Sequence, residues 1–515
     1  MAKIYQREIN QIYFYNFRLS EVRVTYSGLI AVSMSVINVI LGFIFTIIIT
    51  RTLSPEEFGI WNIILGFIFY MVVIEPTISY WVTRETARNI SSQKTAIVSS
   101  SVFSIGAIFG YLVIAFLVGN QTIIDPKIIL LGSILVPVMI LNNTLIGINL
   151  GWKPHTPQYS RFFFLIAQIV LVILFVYFLQ MGIQGIILSS FVANVTSIIA
   201  LTFYARKKLY NNFNLKYLQN WIRRSWLPLY PALGSAISSF GIIIFFIITE
   251  SAQGIGFWAA AVVNVVLITQ AVHIAKATYP KLLHDGISNY LKQNLNLLLF
   301  VTILFTSITI TFSKQSLFIL NPVYEFLFPV VIVIAIWKFF DVISIGFQSY
   351  ITGIEEVDTK NTSTFKDYLK SKLFLIPTIA LIQHSITIIL LAFGLVYLLD
   401  FSQFSLLLYW AGIGLLVQIP VTVYFYKLSK NLFNLSFEPI TFFKYIFSSV
   451  VSFGGVYFLM DITLIYEQNL ILHVINVILY AIIAVGSYIG ITCLLDSTIK
   501  ELLHSSLNEI KKFKK

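Results

Sequence analysis

Long hydrophobic runs separated by short polar segments recur along the whole chain. A helix needs about 20 residues, at ~1.5 Å each, to cross roughly 30 Å of hydrocarbon. Fourteen runs approach or exceed that length, and the pattern predicts an all-α polytopic membrane protein with about 14 transmembrane helices. The predicted spans are 24–50, 59–81, 96–118, 128–150, 162–180, 183–204, 227–249, 255–275, 295–312, 323–350, 373–398, 404–426, 445–460 and 470–495.

The composition supports this prediction. Hydrophobic residues make up 58% of the chain and charged residues only 11%, whereas soluble domains carry roughly 25% charged residues. Residues 1–23 are too rich in charge for a cleaved signal peptide and are expected to remain as a cytoplasmic segment. Cys493 is the single cysteine, which excludes an intramolecular disulfide and a cysteine-based metal site. No metal is expected.

The distribution of positive charge predicts the topology. The net charge is +12, but the basic residues lie in short loops and form no patch on a soluble domain, so no nucleic acid is expected as a partner. If the N-terminus is cytoplasmic, 30 of the 34 lysines and arginines fall on the cytoplasmic side. We therefore predict a multi-pass protein of the cell membrane with both termini in the cytoplasm.

Two features predict a division into two halves. The segment 211–226 combines aromatic and basic residues and predicts an amphipathic helix on the inner leaflet. The sequence IIITRTLSPEEFGIW, ending at Trp61, is echoed by IITESAQGIGFW, ending at Trp258, as in a duplicated bundle. The predicted regions are a cytoplasmic segment 1–23, an N-lobe 24–204, a linker 205–226, a C-lobe 227–426, two extra helices 427–495 and a basic cytoplasmic tail 496–515.

The stretch Arg51–Asn89 resembles the opening of the Wzx-type polysaccharide-transport flippases of the multidrug/oligosaccharidyl-lipid/polysaccharide (MOP) superfamily. The matching elements are an Arg-x-Leu helix end, a Ser-Pro-Glu-Glu-Phe-Gly turn and an Arg-Glu-x-Ala-Arg segment, which are here Arg51–Leu53, Ser54–Gly59 and Arg84–Arg88. The resemblance implies two pseudo-symmetric six-helix lobes around a central cavity, plus two C-terminal helices. It also implies transport of a lipid-linked oligosaccharide by alternating access, with membrane lipids and other polysaccharide-assembly proteins as partners.

Charged residues inside the spans are the first candidates for function, because a charge at mid-bilayer costs ~2.5–3.5 kcal/mol on insertion scales. Lys338 and Asp341 lie three residues apart in the tenth span, on one helix face. They predict either a self-satisfied ion pair, or a phosphate-binding lysine beside a carboxylate that exchanges a proton or cation. Glu75 precedes Pro76 in the second span, and a proline at this position can kink the helix. It predicts either an ion pair with Arg84 or Lys281, or a site that couples transport to a proton or sodium gradient.

Basic residues near the predicted inner surface are candidates for binding an anionic headgroup. His273 and Lys276 share one face of the eighth span, although Lys276 could equally snorkel to the surface. Arg84 and Arg88 serve either as topological anchors or as residues that gather the headgroup at the inner mouth. A pyrophosphate-linked glycolipid carries negative charge across a medium that penalises it, and cationic side chains offset that penalty.

Two alternatives to a flippase follow from other features. A MATE-like drug or cation exporter would share the superfamily but requires unpaired carboxylates in its cavity, whereas the cavity candidates here lean basic. A membrane glycosyltransferase or polysaccharide polymerase requires catalytic groups on a large outer loop, and the predicted outer loops are about ten residues or shorter. The sequence therefore predicts a transporter and not an enzyme.

Overall fold

The structure is a computed structural model. It describes residues 34–119, 124–210, 212–276, 288–355, 357, 365–433, 438–464, 466 and 469–501. The predicted N-terminal segment, Lys281 and most of the basic tail lie outside the described residues.

The described residues of the first half form nine α-helices. They are α1 (Met34–Thr52), α2 (Pro55–Val72), α3 (Pro76–Ala87), α4 (Gln93–Gly119), α5 (Pro126–Leu131), α6 (Leu135–Trp152), α7 (Thr156–Val172), α8 (Gly182–Ala205) and α9 (Leu215–Arg223). Short 3₁₀ and π segments continue α5 into α6 and extend α7 to Phe178.

The described residues of the second half form eleven α-helices. They are α10 (Trp226–Thr249), α11 (Ala252–Thr269), α12 (Val272–Lys276), α13 (Ser288–Thr311), α14 (Ser313–Leu320), α15 (Phe328–Gly353), α16 (Phe365–Leu369), α17 (Lys372–Tyr397), α18 (Gln403–Phe433), α19 (Pro439–Thr463) and α20 (Leu470–Leu495).

These helices confirm the predicted all-α membrane architecture. Within the described ranges, 13 spans are long and apolar enough to cross a bilayer, and α2 with α3 forms a further span bent by 60°. Counted as one, this pair gives the predicted 14 spans. The predicted span at 59–81 is broken in two, because α2 ends at Val72 and α3 starts again at Pro76, whose ring nitrogen cannot donate the backbone hydrogen bond that a continuous helix needs.

The echoed turns predicted from the sequence start equivalent helices. Ser54 caps α2 by accepting a hydrogen bond from the Glu57 amide, and the Glu57 side chain returns a bond to the Ser54 amide. The Ser251 side chain caps α11 by accepting a hydrogen bond from the Gly254 amide. The two helices pack against each other along their first turns. We call the end of the spans at which the first turns of α2 and α11 meet the closed end.

A second contact between the halves lies where α1 ends. The Arg51 guanidinium donates to the carbonyl oxygens of Phe318 (2.8 Å) and Ile319 (3.1 Å) in the last turn of α14. The Thr50 hydroxyl donates to the Leu320 carbonyl (3.0 Å), and the Asn321 amide donates back to the Thr50 carbonyl (2.9 Å). Carbonyls at a helix C-terminus lack partners within their own helix, so Arg51 and Thr50 supply the missing donors across the two lobes.

The connection between the halves contains α9, a short helix with an apolar and a basic face. Trp221 is buried on its apolar face, and the indole N–H donates to the Glu85 carboxylate at 3.0 Å. The helix packs against α3 and α4 of the N-lobe.

The last two helices, α19 and α20, pack together and against α13. The Lys292–Glu438 salt bridge (2.5 Å) helps to hold α19 there and lowers the pKa of Glu438.

Candidate functional site

A polar cavity lies between the lobes, toward the end of the spans opposite the closed end. Its volume is about 380 Å³. It is walled by α1 and α7 of the first half and by α11 and α12 of the second. Its lining residues are Ser35, Asn38, Val39, Gly42, Phe43, Thr46, Gln158, Arg161, Val263, Val266, Gln270 and His273.

Amide side chains from three helices face this cavity. The Asn38 amide donates to the Gln158 Oε1 atom at the long distance of 3.5 Å. The Asn38 Oδ1 atom is buried and accepts no hydrogen bond from any described residue. Gln270 bonds to its own helix, through the Val266 carbonyl at 3.0 Å. Because a buried acceptor without a donor costs about 1–3 kcal/mol, Asn38 marks a place where a hydroxyl of a ligand or a water molecule would be stabilised.

Arg161 supplies the positive charge of the cavity. Its side chain is exposed to the cavity, and the guanidinium lies 4.6 Å from the centroid of the Phe164 ring. Among the described residues, no carboxylate forms a salt bridge with Arg161. Sequence reasoning placed Arg161 in an inner loop and missed it as a site residue. The available signal was its position one helical turn after Gln158, at the start of a span.

The structure describes the side chain of one member of the predicted cationic pair on the eighth span. His273 lines the cavity from α12, the short helix that follows α11. Lys276 is the last residue of the same helix, and its side chain lies outside the described residues. His273 and Arg161 therefore line the same cavity from opposite lobes.

Lys338 and Asp341 lie elsewhere, on α15 within the C-lobe. The Lys338 Nζ atom is 2.9 Å from the Asp341 Oδ2 atom, and both side chains are 26% exposed. The ammonium also lies 4.9 Å from the centroid of the Trp337 ring, and His384 on α17 interacts electrostatically with both charges. Each charge thus has an opposite partner on its own helix, which is the arrangement of the self-satisfied pair.

Glu75 occupies the bend between α2 and α3 and is only 4% exposed. Its carboxylate accepts hydrogen bonds from the Ser79 hydroxyl (3.0 Å) and from the Thr144 hydroxyl of α6 (3.1 Å). The predicted pairing with Arg84 is wrong, because the Arg84 guanidinium lies over the Tyr80 ring at 4.4 Å. Arg88 is exposed at the end of α3. Neither arginine lines the inter-lobe cavity.

Comparison with known proteins gives a family and a fold. The family described as "Polysaccharide biosynthesis protein" matches residues 25–281. The structure of lipid II flippase MurJ in an inward closed conformation superposes with a TM-score of 0.60 at 16% identity, covering 88% of this chain and 98% of that one. No curated protein matches this sequence.

Two further solved structures are similar in fold. A MOP superfamily transporter from Pyrococcus furiosus gives a TM-score of 0.53 at 12% identity, covering 80% of this chain and 96% of that one. A multidrug resistance MATE family transporter in an inward-facing conformation gives a TM-score of 0.53 at 13% identity, covering 78% and 96%. The shared architecture is that of MOP superfamily transporters.

Proposed function

The chain belongs to the polysaccharide biosynthesis protein family of the MOP superfamily, and on this basis we propose that it is a flippase for a lipid-linked oligosaccharide. In this proposal the glycan headgroup enters the inter-lobe cavity from the cytoplasmic leaflet and leaves to the outer leaflet by alternating access. The polyprenyl or dolichyl tail remains in the bilayer.

The observation that carries the proposal is the guanidinium of Arg161, which lines a cavity between the lobes and has no salt-bridge partner in the described part of the chain. A charge held near the membrane without a carboxylate partner is costly, so such a residue calls for an anionic ligand. A guanidinium binds phosphate oxygens through two parallel hydrogen bonds. A drug exporter specific for cations would place the opposite charge in the cavity.

The rest of the cavity is suited to the sugar that follows the phosphate. Asn38, Gln158 and Gln270 offer both donors and acceptors, and Ser35 and Thr46 add hydroxyl groups. Ligand cavities typically measure about 300–1,000 Å³, and the volume of this cavity, about 380 Å³, falls within that range. His273 is placed to interact with the same phosphate from the opposite lobe.

Glu75 is the coupling site that we propose, with a proton as the coupling ion. Its environment supports both protonation states. When Glu75 is ionised, Thr144 donates to it and Ser100, whose Oγ is 2.6 Å from the Thr144 Oγ1 atom, donates to Thr144. When Glu75 is neutral, the direction reverses, and the chain of donors ends at the Ala96 carbonyl, 2.8 Å from Ser100. Asp341 is held by Lys338 and is less available for exchange.

The test is headgroup translocation in proteoliposomes that contain a polyprenyl diphosphate-linked oligosaccharide, scored by access of an external glycan-binding probe. Arg161→Gln should reduce the rate about tenfold or more, since a charged hydrogen bond is worth roughly 1.5–3 kcal/mol. Arg206→Gln is the matched control, because Arg206 packs over Phe203 at the same 4.6 Å but lies outside the cavity. If no lipid-linked glycan moves while a cationic dye is exported, the proposal fails in favour of a MATE-like exporter.

A further inference from the structure

A second cavity, of about 470 Å³, lies outside the two lobes, between the C-lobe and α19. Its walls are the last turns of α13 and α19, the start of α15 and the helix α14. Thr311 and Thr463 end two of these spans and Pro322 begins the third, so the cavity lies at the level of the lipid headgroups on the side of the closed end. The lining residues used below are Lys314, Gln315, Gly454, Tyr457, Asp461 and Tyr466.

Two walls of this cavity, α14 and α19, each present a hydrogen-bond acceptor that has no donor among the described residues. Gln315 is 6% exposed, and its Oε1 atom accepts no hydrogen bond from any described residue. Within the described part of the chain, the Asp461 carboxylate forms neither a salt bridge nor a hydrogen bond. A ligand that satisfies both must carry several N–H or O–H donors, and a positive charge would suit Asp461 best. The aromatic ring of Tyr457 adds a surface that attracts cations.

Lys314 places a positive charge at the same cavity. Its ammonium is 3.2 Å from the Glu325 carboxylate and lies 5.5 Å from the centroid of the Tyr466 ring. The hydrogen bond to Glu325 raises the pKa of Lys314 above its ordinary value and so favours the charged ammonium further. Because an ammonium has three donors, Lys314 retains hydrogen-bonding capacity for an anionic oxygen.

From this arrangement we propose that the cavity binds the headgroup of a phospholipid that carries a primary amine. The amine donates to Asp461 and Gln315 beside Tyr457, and the phosphate accepts from Lys314. A quaternary amine of similar size has no N–H to donate to Gln315, and an anionic headgroup without an amine meets Asp461 with the wrong charge. The site therefore distinguishes phosphatidylethanolamine from phosphatidylcholine and phosphatidylglycerol.

The experiment is native mass spectrometry of the full-length protein. The protein is exchanged into three detergent solutions, each of which contains one of the three lipids at the same concentration. Wild type should retain phosphatidylethanolamine about tenfold more than either other lipid, and Asp461→Asn and Gln315→Leu should remove this preference. Asp400→Asn is the control, because Asp400 is an exposed acid just after α17, at the same end of the spans and outside the cavity.

A further variant keeps the proposal testable if Asp461→Asn or Gln315→Leu disturbs folding. A Cβ atom on Gly454 would meet no atom within 4 Å, so Gly454→Leu fills the cavity from α19 without a clash at the backbone. It should abolish lipid retention while thermal melting remains that of wild type. Equal retention of the three lipids by wild type, or unchanged retention by Gly454→Leu, would overturn the proposal. Neither result depends on what the protein transports.

Discussion

Gly59 and Gly256 approach each other's helix reciprocally at the closed end. A Cβ atom on Gly59 would lie 1.8 Å from the Ala252 carbonyl oxygen, and one on Gly256 would lie 2.0 Å from the Pro55 carbonyl oxygen. The spacing that separates Trp61 from Trp258 also relates Gly59 to Gly256 and Pro55 to Ala252. The contact is therefore related by a pseudo-two-fold axis, as in an isologous interface.

The first prediction concerns this contact. Gly59→Ala should destabilise the closed end by at least ~1–3 kcal/mol, because the methyl group meets backbone that cannot rotate away. The expected result is a lower melting temperature together with faster labelling by an impermeant maleimide of a cysteine placed at Ala252. Gly66→Ala is the control on the same helix, since a Cβ atom there meets nothing within 4 Å. Equal labelling of both variants would contradict the prediction.

The echo around Trp61 and Trp258 shows how far the sequence could predict the structure. The periodic hydrophobic runs predicted the spans, because lipid imposes helix length directly. The echo predicted equivalent helices, and these meet each other at the pseudo-symmetry axis. The bend at Glu75 was only partly predictable: Pro76 suggested a kink, but proline alone does not fix an angle of 60°.

Arg161 has only a weak signal in the sequence, namely its position one helical turn after Gln158 at the start of a span. A basic residue at the start of a span looks like an ordinary topological anchor. It becomes a site residue only because α1, α11 and α12 line the same cavity as α7, and this arrangement of helices leaves no signal in a single sequence. His273 was identified as a candidate because it shares one face of a predicted span with Lys276, whereas Arg161 only borders a span.

The second prediction concerns Arg51. Arg51→Gln should weaken the contact between α1 and α14, because two charged hydrogen bonds to the last turn of α14 are lost. The protein should then shift towards a state in which the two lobes are separated at this end of the spans. In a Cys493→Ala background without other cysteines, labelling of a cysteine at Ala252 should rise about tenfold.

Lys127→Gln is the control for Arg51→Gln. Lys127 is a basic residue at the same end of the spans and has no role in the contact between α1 and α14. An Arg51→Gln protein that labels no faster than Lys127→Gln would show that the polar contact does not hold the lobes together.

The third prediction concerns Glu75. Wild-type transport should respond to a transmembrane proton gradient, and Glu75→Gln should lose this response while retaining downhill movement within about threefold of wild type. The reason is that glutamine can accept from Ser79 through its carbonyl oxygen and donate to Thr144 through its NH2 group, much as the neutral acid does, but cannot change charge. Glu85→Gln is the control on α3, since Glu85 accepts from Trp221 instead. A gradient response that survives Glu75→Gln would remove Glu75 from the coupling mechanism.

The last prediction separates the two roles open to Lys338 and Asp341. If the two charges serve each other, Lys338→Met should destabilise the protein by roughly 1–3 kcal/mol, because Asp341 is left without its partner among the spans. Lys338→Met combined with Asp341→Leu should then recover most of the melting temperature, since no uncompensated charge remains. We expect the double variant to transport within about threefold of wild type. A double variant that folds normally but no longer moves the lipid-linked glycan would instead give Lys338 a direct role with the phosphate, since restoring charge balance cannot replace a ligand contact.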